Sequence, residues 1–212
     1  MIPNSIYEES NEFNFMINSQ YQLMPIPSSE PSCTVSMARS LDKGRSDMQQ
    51  FISKNFFETY QAQVDHFADL LIGCKSNEDH HWMAAFGMSN LADKKAYLEQ
   101  YLNDPIESII AFMTGQKVKR SEIFELGNLA AEYPGATRRL IKKMASMIFN
   151  QGGRWVVFTA NNLVVNAFHK LDLNPQVISK ADPDLLPNHG INWGCYYETK
   201  PQVMFIEVPS HI

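Results

Sequence analysis

Four segments between residues 121 and 171 decide the fold: SEIFELGNLAA (121–131), TRRLIKKMASMIFN (137–150), RWVVFTA (154–160) and NNLVVNAFHKL (161–171). The first and third are apolar runs of strand length, and the second and fourth repeat apolar residues at helical spacing. In the second, Leu140, Ile141, Met144, Met147 and Ile148 make one stripe, while Arg138, Arg139, Lys142 and Lys143 lie off it. A strand, a helix and a second strand joined over this length make a crossover, which predicts a parallel pair.

Upstream, DPIESIIAFM predicts a helix with Asp104 as cap, Pro105 at its first position and Glu107 three residues after the cap. HFADLLIGCK and HWMAAFGMSN, on either side of the polar SNEDH, predict an antiparallel hairpin. SDMQQFISKNFFETYQ predicts a helix opened by the capping-box pair Ser46 and Gln49, after a short strand CTVSMA. Downstream, PQVIS and two β-rich runs within WGCYYETKPQVMFIEV complete the set. The expected fold class is α/β (α+β): a mixed, mostly antiparallel sheet flanked by helices, with a central parallel strand pair.

The chain of 212 residues suits one domain. Residues 1–33 are rich in Asn, Ser, Glu and Pro and read as a loosely ordered leader; residues 34–212 read as the domain. With 44% hydrophobic and 19% charged residues, a chain disordered throughout is excluded. A net charge of −5 argues against nucleic acid held by bulk electrostatics, so any anion site is local. No secretion signal or membrane-spanning stretch is visible. Three widely spaced cysteines, Cys33, Cys74 and Cys195, predict neither a disulfide framework nor a zinc site, and the expected home is the reducing cytoplasm.

Two features point to chemistry. In LAAEYPGATRR a strand ends, Pro134 and Gly135 break the chain, and a helix opens with Arg138 and Arg139. Helix N-termini attract anions, so basic side chains there suit a phosphate held between them and the free amides; the alternative is the wet face of an amphipathic helix. Glu125 lies on an otherwise apolar strand, where a carboxylate is costly to bury without a task or a partner. It is a candidate general base; the alternative is a structural carboxylate held by Arg120, Arg154 or backbone donors. Glu99, beside Leu98, is a second candidate acid facing the same cleft. Asn161 or Asn162 caps the last of the four segments. His80 and His81 read as a surface turn, and no metal is required.

Residues 132–137, EYPGAT, resemble the turn of GNAT acyltransferases, Gln/Arg-x-x-Gly-x-Gly/Ala, that holds the coenzyme A pyrophosphate. They keep Gly135 but carry Glu132 and Thr137 at the ends, and Phe168 stands where those enzymes place a tyrosine acid. A resemblance covering residues 50–208 is to the bacterial thermostable hemolysin family. It rests on LEQYL (98–102), FELGNLA (124–130), RWVVFTA (154–160), NAFHKLDLNP (166–175) and WGCYY (193–197). The fold it implies is similar to that of the acyl-homoserine-lactone synthases, which carry an acid matching Glu125. These resemblances imply an N-acyltransferase that uses acyl-CoA or acyl carrier protein as donor and a small-molecule amine as acceptor. Leu126, Asn128, Leu129, Gly135, Ala136, Thr137, Arg138, Arg139 and Asn161 would contact the donor, and Tyr101, Trp193 and Tyr196 would line the substrate pocket. A membrane-active hemolysin touching the membrane surface, or an acyl-carrier-binding module without turnover, are the alternatives.

Overall fold

The computed structural model describes residues 32–209. The leader at 1–33, apart from its last two residues, therefore lies outside the described residues. One seven-stranded sheet runs in the order β1-β2-β3-β4-β5-β7-β6. Its strands are β1 Cys33–Ala38, β2 Leu70–Ser76, β3 Trp82–Asn90, β4 Ile123–Ala131, β5 Trp155–Ala160, β6 Gln176–Lys180 and β7 Gln202–Glu207. All neighbours pair antiparallel except β4 and β5, which are parallel. Four α-helices flank it among the described residues: α1 Arg45–Tyr60, α2 Ile106–Thr114, α3 Pro134–Asn150 and α4 Asn162–His169. No helix among these residues is long and apolar enough to cross a membrane.

Side chains alternate across a strand, so each face of the sheet builds its own core. Phe86, Phe124, Val156 and Phe158 pack with Leu140, Met144 and Ile148 of α3 and Phe168 of α4. On the other face Ile123, Trp155, Val157 and Phe205 meet Ile106 and Ile110 of α2. Further along the sheet, Leu71, Ala85 and Ala130 meet Met48, Ile52 and Phe56 of α1. β5 is apolar at every position from Trp155 to Phe158 because both of its faces are covered.

Several local expectations are corrected. Helix α1 starts after Gly44, at φ 88°, with Ser46 already inside it and no side-chain cap. Helix α2 follows Pro105, and neither Asp104 nor Glu107 caps it. Its first N–H, that of Ile106, donates instead to Glu99 Oε1 at 3.0 Å. Glu107 ion-pairs with Arg120. The WGCYYET run forms 3₁₀ turns, Ile191–Trp193 and Tyr196–Thr199, rather than a strand. Left-handed backbone at Gly190, Gly194 and Lys200 interrupts any extended run there. Cys33 and Cys74, on neighbouring strands with Cα atoms 6.0 Å apart, form a disulfide that the odd cysteine count gave no reason to expect.

Candidate functional site

The site originates where the parallel pair ends. β4 and β5 are in register only from Ile123 with Trp155 to Leu126 with Phe158; both strands then run on without pairing to each other, each still held by its outer neighbour, leaving a wedge between them. In the diverging part of β4 the pairing with β3 slips: two steps on β3, from Ala85 to Gly87, face three on β4, from Ala130 to Gly127. That extra residue is a β-bulge, and it resets the alternation of the strand. Leu126 and Leu129, three apart, therefore both pack toward the α3 and α4 face.

A cavity of about 400 Å³ fills the wedge and reaches both faces. On one side it is apolar, walled by Leu126, Leu129, Leu140, Ile141, Met144, Phe158 and Phe168. On the other it is aromatic and polar, with His66, Tyr97, Tyr101, Trp193, Tyr196, Tyr197 and Glu125. Tyr101 and Tyr197 share a hydrogen bond of 2.6 Å between their hydroxyls. Burial raises the Tyr101 and Tyr196 phenols, and pushes Tyr197 up to about 12, so all three stay protonated as donors near neutral pH. The aromatic turn closes on the end of α1 through Gly194. A Cβ there would sit 2.0 Å from the Tyr60 carbonyl oxygen, which instead accepts the Cys195 N–H at 2.9 Å.

Glu125 reaches the cavity with its carboxylate held by backbone. Tyr97 N–H donates to Oε2 and Leu98 N–H to Oε1, each at 2.9 Å. Burial raises its pKa above the ordinary glutamate value, and the two N–H donors and Lys94 offset only part of that. Each oxygen keeps a lone pair for an incoming proton. Glu99 belongs elsewhere. It does not line the cavity, contrary to expectation, and its oxygens accept from Arg120, Ala96 N–H and Ile106 N–H. Burial would raise its pKa, but the Arg120 guanidinium and those N–H groups outweigh burial and hold it below the usual value.

The expected donor contacts divide. Leu126, Asn128, Leu129 and Asn161 line the cavity, as do Tyr101, Trp193 and Tyr196 of the expected substrate pocket. Asn128 turns its side-chain amide to the backbone of His66 and Ala68. Asn161 caps α4 by accepting the Val164 N–H at 3.3 Å, and donates to the Tyr60 hydroxyl at 3.1 Å. Gly135, Ala136, Thr137, Arg138 and Arg139 form the first turns of α3, outside the cavity wall, on the helix whose Leu140, Ile141 and Met144 belong to that wall. No acidic residue or side-chain cap occupies the start of α3. Arg139 donates to Cys33 Sγ at 3.0 Å. His66, Tyr60 and Tyr97 were not singled out by sequence, because they lie on separate segments that only the fold brings together.

The fold is shared with solved acyl-transferring synthases. The AHL synthase LasI is 10% identical over 85% of this chain and 92% of that chain, with a TM-score of 0.55. FeeM, an N-acyl amino acid synthase from uncultured soil microbes, is 9% identical over 84% and 93%, also at 0.55. The CoA-dependent acyl-homoserine lactone synthase BjaI, solved with SAM and isopentyl-CoA, is 10% identical over 84% and 85%, at 0.51. No curated protein sequence matches the chain. Residues 38–212, which carry every strand from β2 onward and all four helices, match the family described as Thermostable hemolysin, and the chain belongs to that family.

Proposed function

We propose that the protein moves an acyl group from a thioester donor, acyl-CoA or an acyl carrier protein, to a small-molecule amine. The observation that carries this reading is the single cavity that joins an apolar compartment to a polar one through the wedge between β4 and β5. An acyl chain needs the first, an amine and its proton need the second, and the reacting carbonyl belongs where they meet. Proteins of the same fold described as an AHL synthase and an N-acyl amino acid synthase support the same reaction class.

In this reading the acyl chain lies against Leu126, Leu129 and Met144, with its carbonyl oxygen toward the backbone N–H groups of the bulge, which stabilise the developing oxyanion. The acceptor enters as an ammonium from the aromatic side and gives a proton to Glu125, directly or through water. Its nitrogen attacks the carbonyl carbon, the C–S bond breaks, the thiolate leaves, and the nitrogen gives its second proton to that thiolate, through water, to leave the amide and free thiol. Phe168 offers no hydroxyl to the leaving group, and a thiolate, whose conjugate acid has a pKa of about 8.5, leaves without one. The Gly135–Arg139 turn and Asn161 would hold the donor's phosphate-bearing arm. A cytoplasmic reaction, where acyl-CoA and acyl carrier protein are found, is part of this reading, and the Cys33–Cys74 disulfide does not support it. An amide with a long acyl chain is itself surface-active, so membrane lysis by the product fits the family name.

Native mass spectrometry with acyl-CoA and with acylated carrier protein, run beside liposome leakage, tests the reading. A retained donor is the expected result. Leakage caused by donor-free protein, with no donor retained, would favour a directly membrane-active protein and overturn it.

A further inference from the structure

Asn128 occupies the left-handed region at φ 55°, a conformation costly for any residue but glycine and, to a lesser degree, asparagine and aspartate. It does so within the bulge of β4, where the wedge opens. Its side chain holds it there. Nδ2 donates to the His66 carbonyl at 2.9 Å, and Oδ1 accepts the Ala68 N–H at 3.3 Å. The segment it grips is held from elsewhere too: the buried Arg45 donates to the carbonyls of Ala68 at 2.7 Å and Asp69 at 3.1 Å. Asp69 N–H donates to Ser89 Oγ at 3.2 Å. On β3, Gly87 leaves room for the contact, since a Cβ there would come within 2.9 Å of Asn128 Oδ1 and 2.7 Å of Ala68 Cβ. His66 stacks on Tyr97, with ring centroids 5.1 Å apart, and Tyr97 N–H is one of the two donors that hold Glu125.

We infer that Asn128 is a positioning residue for acyl transfer: by clamping residues 66–68 to the bulge, its amide fixes the aim of the bulge N–H groups and ties them to the wall that carries Tyr97 and Glu125. The inference rests on the acyl-transfer reading of the same cavity. Asn128 exchanges no proton in it; its effect is geometric, and misplacing a reacting group by about 1 Å costs on the order of 10² in rate.

Two variants separate geometry from folding. Asn128→Gly accepts the left-handed backbone at no steric cost but has no amide. Asn128→Asp also tolerates that backbone and still accepts from Ala68 N–H, but sets an oxygen against the His66 carbonyl. Each is read by donor titration, by steady-state turnover, and by the infrared stretch of the bound donor's thioester carbonyl. The expected result for Asn128→Gly is parent-like donor affinity, a kcat lower by about 10–100-fold, and a carbonyl stretch moved back toward that of free donor. Parent-like kcat and stretch in the folded variant would overturn the inference. So would a loss of donor affinity with kcat intact, which would make Asn128 a direct donor contact. Should Asn128→Gly not fold, Asn128→Asp carries the same three readouts with the same deciding outcomes. A parent protein that binds no acyl thioester and forms no amide sinks the acyl-transfer reading itself, a result distinct from normal turnover in Asn128→Gly, which sinks the clamp alone.

Discussion

Replacing Glu125 by glutamine alters two physical terms of opposite sign. The carboxylate accepts N–H bonds from both Tyr97 and Leu98. Glutamine has one carbonyl oxygen, so its NH₂ faces the second N–H and leaves a buried donor unsatisfied, at a cost of about 1–3 kcal/mol. Against this, glutamine removes a charge from a site where burial is the largest influence and raises the carboxyl pKa above its ordinary value. A raised folded-state pKa means that the stability contributed by Glu125 is full below the ordinary glutamate pKa and is lost as pH rises through the folded value. Glutamine does not titrate, so the stability gap between parent and variant is widest in acid and narrows toward neutral pH. For a domain of this size the gap corresponds to about 2–12 °C in Tm. Acyl transfer is expected to fall about 10²–10⁴-fold with donor affinity unchanged. Calorimetric melts across the acid-to-neutral range and steady-state kinetics on the same preparations check both halves. A gap that widens toward alkaline pH would refute the electrostatic reasoning, and full transfer by a folded Glu125→Gln protein would refute the base.

Three further outcomes are expected. Changing Arg138 and Arg139 together to glutamate should weaken binding of coenzyme A and of acyl carrier protein, since the start of α3 carries no acidic residue of its own; calorimetric titration that finds unchanged affinity for both would refute the anion site. Met144→Trp should narrow the apolar compartment and lower kcat/KM for the longest acyl donors while sparing short ones, and an equal loss at every chain length would contradict the assignment of that compartment. Arg120→Met removes the cation shared by the half-buried carboxylates of Glu99 and Glu107 and should cost about 1–3 kcal/mol. Because the Glu99 pKa is depressed, its share of that stability is present above the ordinary glutamate pKa and lost as pH falls through the depressed value, so parent and variant denaturation curves should converge in acid; a gap that stays constant into acid would contradict this.

The central strands and helices were legible because their patterns are local. Apolar residues of α3 recur at helical spacing, β5 is apolar from Trp155 to Phe158 because both faces are covered, and the helical crossover from β4 to β5 leaves one topology for the parallel pair. Glu125 was legible as a buried carboxylate for the same reason: strand alternation placed it. Its partners were not, since the Tyr97 and Leu98 amides lie on a 3₁₀ turn 28 and 27 residues earlier in the chain. Local spacing also misled. Glu107 stands where a capping residue would, yet Arg120 takes it, and Glu99, assigned to the cleft, does the capping by accepting the Ile106 N–H. Aromatic content suggested a strand in WGCYYET, where left-handed glycines instead fold a turn against α1. The bulge clamp at Asn128 and the Cys33–Cys74 disulfide, 41 residues apart in sequence, depend on strand register that no single segment encodes.

Acyl transfer is tested most directly by mass-spectrometric detection of amide product, with release of free thiol, when the purified protein is given acyl-CoA or acylated carrier protein and a panel of small amines. The expected product is an amide formed from the donor acyl group and the amine, appearing in step with thiol and suppressed in Glu125→Gln. Folded protein that releases no thiol and forms no amide with any donor and amine in the panel would contradict it.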